Sequence, residues 1–150
     1  MSVFTLSLKG DARGKGRPRA TTRRVGKRVV ASVYTDGPTK RYEASVKKVA
    51  AMAMAPRSPM TGPLSVSLRF RLRVPASATK RQRAAYLSGE EAYLGAYDID
   101  NLAKSILDAC NGVVWADDRQ ITRLFVTKIA AEEPGVDLRV EAYQPQEGEG

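Results

Sequence analysis

Several aspartates and a lysine gather in residues 97–121, which read YDIDNLAKSILDACNGVVWADDRQI. If the chain enters this stretch extended, Asp98 and Asp100 project to the same side, because side chains alternate along a strand. Carboxylate oxygens suit hard divalent cations, and Mg²⁺ is typically held by one or two carboxylates together with phosphate oxygens. The stretch therefore predicts a metal site of Asp98, Asp100 and Asp118, with Asp117 as a further ligand or a partner of one.

A helix is predicted to begin at Asp100 or Asn101, whose side chains can accept from the free N–H groups of a first turn. Gly112 is expected to stop it. At helical spacing one face is polar, carrying Asp100, Lys104, Asp108 and Asn111. The opposite face is apolar and is predicted to be core, through Leu102, Ile106, Ala109 and Cys110.

The residues after this helix could bring Asp117 and Asp118 back toward Asp100, since a short apolar segment, VVW, lies between. Lys104, one turn beyond Asp100, would place a positive charge near a bound phosphate. Each residue also has an ordinary structural explanation. Asp100 could be an N-cap, Lys104 its i+4 ion pair, and Asp117 and Asp118 part of a turn. Their joint occurrence favours a functional site.

Composition excludes several other chemistries. The chain has no histidine and one cysteine, which excludes zinc sites built on those residues, Ser-His-Asp triads and histidine-based nuclease motifs. Cys110 is predicted to be a core residue in a reducing cytoplasm. The longest apolar run is too short to span a bilayer, so we expect no membrane partner and a cytoplasmic protein.

The charge distribution indicates a polyanionic partner. Residues 1–60 hold 14 Lys and Arg against 3 Asp and Glu, whereas residues 97–150 hold 5 against 11. Residues 9–28 form the densest basic run, and their glycines and proline favour a loop or hairpin arm. Such an arm can follow a DNA phosphate backbone. The arm residues predicted to bind DNA are Lys15, Arg17, Arg19, Arg23 and Arg24.

The remaining pattern predicts one small α/β (α+β) domain over residues 1–144, with a mixed β-sheet packed against helices, followed by a disordered tail at 145–150. Alternating apolar residues predict strands at residues 2–9, 64–74, 121–130 and 136–143, the last two paired as a hairpin. Helices are predicted at 38–53 and 79–87. The outward Arg69, Arg71 and Arg73 form either a second basic stripe or an ordinary charged sheet face.

The pattern D-x-D-N-x-x-K, followed by NGVVW and D-D-x-Q-I, resembles the RusA family of Holliday junction resolvases, which is common in bacteriophages and prophages. Upstream, GKGRPRATTRR and VYTDGPTKRYEASVKKVA are similar to the family's Gly-Arg-Pro-Arg segment and Thr-x-x-Tyr-Glu helix start. The resemblance spans residues 12–130. It implies a homodimer of small α/β subunits that cuts four-way DNA junctions with Mg²⁺, or Mn²⁺ as a substitute.

Position by position, the resemblance implies Asp98, Asp100 and Asp118 as metal-binding acids and Lys104 as the catalytic lysine. Asp117 matches the acid before the last of these. Many family members carry Lys-Pro immediately before the first aspartate, where this chain has Ala96-Tyr97. A basic group is therefore missing from this position.

The predicted function is a metal-dependent endodeoxyribonuclease that resolves four-way junctions by paired symmetric nicks in DNA recombination and repair. Two alternatives stay open. One is a nuclease acting on other branched DNA, and the other is a DNA-binding protein whose acidic cluster is inactive.

Overall fold

The computed structural model describes residues 3–15, 19–25, 28–34 and 37–145, and for residues 19–25 and 28–34 it describes the backbone alone. Within these ranges the chain forms six strands and three α-helices. In chain order they are β1 (Val3–Lys9), β2 (Arg19–Val25), β3 (Arg28–Tyr34), α1 (Gly37–Met54), β4 (Leu64–Arg73), α2 (Lys80–Ser88), α3 (Ile99–Cys110), β5 (Ile121–Ala131) and β6 (Gly135–Ala142). A single 3₁₀ turn, Asp118–Gln120, precedes β5.

Four strands form a mixed sheet in the order β1-β6-β4-β5. β6 is antiparallel to both β1 and β4, whereas β5 runs parallel to β4. Apolar residues alternate along β1 and β4, and those facing the helices are buried, as at Phe4, Val66 and Phe70. The predicted α+β class, with a mixed sheet packed against helices in one small domain, is confirmed.

The core lies between this sheet and the helices α1 and α3. α1 contributes Val46, Ala50 and Met54, and α3 packs beside it through its own apolar face. The other face of the sheet carries polar residues such as Thr5, Arg69 and Asp137. The helices therefore cover one face of the sheet.

The basic N-terminal arm includes a two-stranded antiparallel hairpin. β2 pairs with β3 from Arg19↔Tyr34 to Val25↔Arg28. The predicted loop or hairpin, rather than a helix, is confirmed for the described part of the arm. β-branched residues, which favour strands, are frequent in both strands, as at Thr21, Thr22, Val29, Val30 and Val33.

The predicted hairpin of the last two strands is wrong. β5 and β6 are consecutive in sequence, but β4 lies between them, antiparallel to β6 and parallel to β5. Among the described strands, β4 has the longest continuous run of buried residues. Such a strand buries the most apolar surface when it lies at the centre of the sheet, between two other strands. The short connection between β5 and β6 thus spans a neighbouring strand.

The other predicted elements are confirmed near their expected bounds. α1 begins one residue before the predicted start, and β4 ends one residue before the predicted end. α2 begins after Thr79, whose side chain accepts from the Gln82 amide at 3.1 Å in a capping box. The predicted disordered tail falls largely on residues 146–150, which lie outside the described residues. In the described part of the chain, no helix is long and apolar enough to cross a membrane.

The outward arginines of β4 are paired with acidic residues. Arg69 and Arg71 both contact Asp137 of β6, at 3.2 and 3.3 Å, and Arg73 contacts Asp11 at 3.3 Å. These contacts offset the positive charge of the row, so they favour a charged sheet face over a second DNA-binding stripe.

Asp137 should make part of the stability depend on pH. Burial alone would raise the pKa of this carboxyl, but the hydrogen bond from Ser7 and the charges of Arg69 and Arg71 hold that pKa below its ordinary value. A depressed carboxyl pKa stabilises the fold above the pKa of the unfolded chain, and this stabilisation is lost as pH falls through the folded-state value.

We therefore expect Asp137→Asn to lower the free energy of unfolding by about 1 kcal/mol at neutral pH. The deficit should shrink as the solution is acidified, as measured by urea unfolding at several pH values. Glu132→Gln, at an exposed position beyond β5, is the matched control. An equal deficit at neutral and acid pH would contradict the assignment to charge.

Candidate active site

Helix α3 presents the predicted polar and apolar faces. Leu102 and Ile106 are 1% and 0% exposed, and Cys110 is fully buried. Asp100 and Lys104 lie on the exposed face. The helix ends at Cys110, and Gly112 follows with a positive φ of 80°, the left-handed conformation that glycine adopts most readily. The predicted end and the predicted division into two faces are both confirmed.

The start of α3 differs from the prediction. Asp98, rather than Asp100 or Asn101, is the N-cap residue, and Asp100 is already in the first helical turn. The chain before Asp98 is a loop with a bend rather than a strand, so the two acids do not alternate along an extended segment. Asp98 and Asp100 nevertheless lie within one helical turn, both exposed. The Asp98 side chain makes no capping hydrogen bond.

A lysine from the edge of the sheet holds the loop before these acids. Lys128 of β5 donates from Nζ to the backbone oxygens of Leu94, at 2.6 Å, and Tyr97, at 3.1 Å. Tyr97 directly precedes Asp98, so this contact constrains the entry into α3. The sequence did not predict this role for Lys128. The alternating pattern of a β-strand does not indicate which distant backbone carbonyls a lysine will contact, and these lie 31 and 34 residues away.

The segment before the basic hairpin packs against the same end of α3. The backbone N–H of Lys15 donates to the Asn101 oxygen at 3.0 Å. Gly14 lies against the Tyr97 ring so closely that a Cβ there would fall 2.6 Å from Cδ1 of the ring. Only glycine permits this approach without displacing the ring. The arm therefore meets the protein at the exposed acids.

The Lys15 side chain is held between two helices. Its ammonium group hydrogen bonds to Asp108 of α3 and lies 3.4 Å from Oε1 of Glu43 of α1. Burial alone would lower the pKa of Lys15, but Asp108, through its hydrogen bond and charge, and Glu43 outweigh burial and hold that pKa above its ordinary value. Lys15 was predicted to bind DNA, and that role stays a prediction; the contact observed for its ammonium is with protein carboxylates.

Asp118 is the first residue of the 3₁₀ turn before β5, and Asp117 is the N-cap residue of that turn. Asp118 accepts from Trp115 Nε1 at 2.6 Å. Asp117 accepts from the Arg119 amide at 2.9 Å, and its own amide donates to the Gln120 side chain at 2.9 Å. This is the turn chemistry that the structural explanation predicted for the pair, and it holds both side chains in defined positions.

Asp118 lies near the carboxyl end of α3. Burial, and then the charge of Asp118, raise the pKa of the Cys110 thiol to about 12. β5, which follows this turn, runs back so that Lys128 reaches Tyr97 at the amino end of the helix. Asp100 and Cys110 are separated by roughly 15 Å along the helix axis, at about 1.5 Å per residue. Helix α3 therefore carries Asp98, Asp100 and Lys104 near its amino end, whereas the observed contacts of Asp118 are with the residues that follow the helix.

A divalent cation fits the donor chemistry at the amino end of α3. The described residues contain no group of three His, Cys, Asp or Glu side chains that could hold a metal ion. Mg²⁺ needs only one or two carboxylates when phosphate oxygens and waters complete its shell, and Asp98 with Asp100 supply two. The part of Asp117 and Asp118 in the same metal site stays a prediction.

The other predicted DNA-binding residues are only partly described. Arg17 lies outside the described residues, and Arg19, Arg23 and Arg24 lie on β2, whose backbone alone is described. The hairpin places these three residues on one strand. Their contacts with DNA stay predictions.

The family model described as endodeoxyribonuclease RusA matches residues 10–141. The chain belongs to the RusA endodeoxyribonuclease family. The match runs from the basic arm through α3 and both aspartate pairs into β6. A relative, the uncharacterized protein YqaN of Bacillus subtilis (strain 168), is 28% identical over 143 residues, covering 93% of this chain and 96% of its own length.

Membership of the RusA family assigns the general activity. Members of this family are endodeoxyribonucleases, which hydrolyse phosphodiester bonds in DNA, and in general they depend on a divalent metal. The exposed carboxylates at the amino end of α3, beside a basic arm, agree with that chemistry.

The contacts of Lys128 should stabilise the loop that enters α3. Lys128→Met removes both hydrogen bonds to the loop carbonyls, so we expect it to lower the free energy of unfolding by about 1 to 3 kcal/mol. Amide hydrogen exchange in residues 94–99 should also accelerate. Lys48→Met, which removes an exposed lysine from α1, is the control. Unchanged exchange in this loop would contradict the anchoring role.

Proposed function

We propose that this protein is a metal-dependent endonuclease that resolves four-way DNA junctions by paired symmetric nicks, as part of DNA recombination and repair. The observation that carries the proposal is the exposed group of Asp98, Asp100 and Lys104 on α3, beside the basic arm of a RusA-family chain. The substrate is DNA, so the proposed place of action is the cytoplasm of a bacterial cell, with the gene carried by a phage or prophage.

Asp98 and Asp100 would bind the metal together with an oxygen of the scissile phosphate. Mg²⁺, or Mn²⁺ in its place, would polarise the phosphate and lower the pKa of bound water. We propose Asp118 as a third metal-binding acid and Asp117 as its neighbour in the site. The Trp115 N–H keeps the Asp118 carboxylate in a fixed orientation.

The polar face of α3 would then act on the phosphate itself. Lys104 is exposed and lies one turn beyond Asp100, so its ammonium would offset negative charge that develops during hydrolysis. The free N–H groups of the first turn of α3 favour an anion at the same end of the helix. These groups together would bind and orient the phosphate that is cut.

The arm would grip the DNA backbone away from the cut. Arg17, Arg19, Arg23 and Arg24 lie in the most basic part of the chain. The hairpin that carries three of them begins four residues after Lys15, which contacts α3. Phosphate contacts of this type supply affinity that falls steeply with salt.

A second copy of the chain would supply the second nick. Resolution of a four-way junction requires two symmetric incisions, and one active site per subunit then requires a two-fold dimer. Light scattering of the purified protein, alone and with a junction, would measure this assembly.

A nuclease acting on other branched DNA is the second candidate. The replacement of Lys-Pro by Ala96-Tyr97 removes a basic group beside Asp98, and this feature favours the other alternative, a DNA-binding protein whose acidic cluster is inactive. A panel of junction, fork, flap and duplex substrates separates the two nucleases. Binding without cleavage of any of them would indicate an inactive DNA-binding protein.

Asp100→Asn should abolish cleavage and retain binding. We expect the rate of junction cleavage in Mg²⁺ to fall by at least about 100-fold, since even the outer partners of a metal site contribute about 10- to 100-fold. Junction affinity should change little. Single-turnover cleavage and gel-shift assays measure the two effects, with Glu132→Gln as the control. Joint loss of binding and cleavage would point to a folding role.

The arginines of the arm should govern affinity more than turnover. Replacing both Arg17 and Arg19 by alanine should weaken junction binding and lower the slope of log K against log salt by about one for each lost phosphate contact. The cleavage rate at saturating protein should stay within about 3-fold, since neither residue contacts the reacting atoms in this proposal. Unchanged affinity would refute the role of the arm.

A further inference from the structure

The residues just before the basic hairpin are fastened to two helices at once. Arg13 Nε donates to Thr39 Oγ1 of α1 at 3.3 Å, and Thr39 is 1% exposed. The backbone N–H of Lys15 donates to the backbone carbonyl oxygen of Asn101, in the first half of α3. Gly14, between them, lies against the Tyr97 ring. Backbone and side-chain contacts thus fix residues 13–15 against the folded domain.

A further contact of this segment is ionic. The ammonium of Lys15 lies between Asp108 of α3 and Glu43 of α1, and these three residues form what we call the Lys15 clasp. Their side chains are only 21%, 30% and 20% exposed. A partly buried pair of this kind is screened less than a surface pair, and removing one member leaves a charge without its partner.

The charge of the clasp opposes direct contact with DNA. One ammonium faces two carboxylates, so the group as a whole is negative. A phosphate approaching Lys15 would meet Asp108 and Glu43 as well, and like charges repel at such short range. The contacts of Lys15 therefore suit attachment of the arm better than binding of a phosphate.

The clasp also limits how far from α3 the hairpin can start. β2 begins at Arg19, four residues after Lys15, so its first residue lies within about 14 Å of Lys15, given the maximum reach of about 3.5 Å per residue. Lys15 is itself bound to α3, the helix that carries Asp100 and Lys104. If residue 15 were detached from α3, this limit on the distance between the hairpin and the acids would be lost.

We propose that Lys15 is a positioning residue, which through Asp108 and Glu43 fixes the DNA-gripping hairpin relative to the acidic end of α3. The inference rests on the proposed nuclease function and adds how DNA binding by the arm is coupled to cleavage at α3. The arm arginines hold DNA phosphates, and the clasp sets the distance from those phosphates to the site of hydrolysis.

The test compares two single variants, Lys15→Met and Asp108→Asn, and one double variant in which the charges are exchanged, Lys15→Asp together with Asp108→Lys. Lys48→Met is the control for the loss of one positive charge. Three quantities are measured: the rate of single-turnover junction cleavage at saturating protein, the salt dependence of junction affinity, and hydrogen exchange of the amide at position 15, which donates to Asn101.

We expect Lys15→Met and Asp108→Asn to slow saturated cleavage by about 10- to 100-fold, the size of effect that a displacement near 1 Å can have. The salt slope should stay unchanged, and the amide at position 15 should exchange faster. The double exchange should restore both cleavage and protection, because an ion pair of reversed direction can join the same two segments next to Glu43. A residue needed only for stability would leave the saturated cleavage rate of the folded single variants unchanged.

The opposite pattern would overturn the proposal. A salt slope reduced by about one with unchanged saturated cleavage would make Lys15 a phosphate contact, and unchanged protection in Asp108→Asn would show that the clasp does not hold the arm. If the unmodified protein cuts no DNA, the proposed function fails, and hydrogen exchange alone still decides the attachment. If Lys15→Met does not fold, Asp108→Asn and the double exchange provide the same comparison.

Discussion

The burial of one face of α3 is the constraint on which the candidate site depends. Leu102, Ile106 and Cys110 are at most 1% exposed and lie in the same core cluster as the helix-facing residues of β4 and β6. Turning the helix about its axis would expose these residues and bury Asp100 and Lys104, and an unpaired buried charge costs several kcal/mol. The hydrophobic core therefore sets the direction in which the polar face points.

Four aspartates of this basic chain fall into two structural groups. Asp108 and Asp137 are engaged by cations of the protein, Lys15 in one case and Arg69 with Arg71 in the other, and they fasten separate segments together. Asp98 and Asp100 lie exposed at the beginning of a helix. Acids that already bind a protein cation are poor metal ligands, so the contacts themselves separate structural carboxylates from candidates for catalysis.

The position of β4 at the centre of the sheet connects the sheet to the site. Because β5 pairs with the outer side of β4 and runs parallel to it, its far end lies beside the amino end of α3. Lys128 reaches the loop carbonyls from there. A β5–β6 hairpin at the edge would have changed the neighbours of β5 and removed the basis for this contact. The strand order thus contributes to the geometry of the acids, although no strand residue is among the proposed catalytic groups.

Local spacing in the sequence determined the elements. The helical period of residues 99–110 established both faces of α3, alternation established β1 and β4, and the basic, glycine-containing run established an extended arm. The absence of histidine restricted any metal site to oxygen ligands. These features depend on neighbours a few residues away, and hydrophobic patterning reports such neighbours directly.

Only the tertiary structure decided which distant residues meet. It inserted β4 between β5 and β6, started α3 after Asp98, paired Lys15 with Asp108 across 93 residues, and set Asp118 near the far end of α3. Periodicity tells which face of an element is buried, but it does not tell which other element covers that face. The ion pairs and carbonyl contacts around the site depend on how the helices and strands pack in the core, and for that reason their partners could not be named from the sequence.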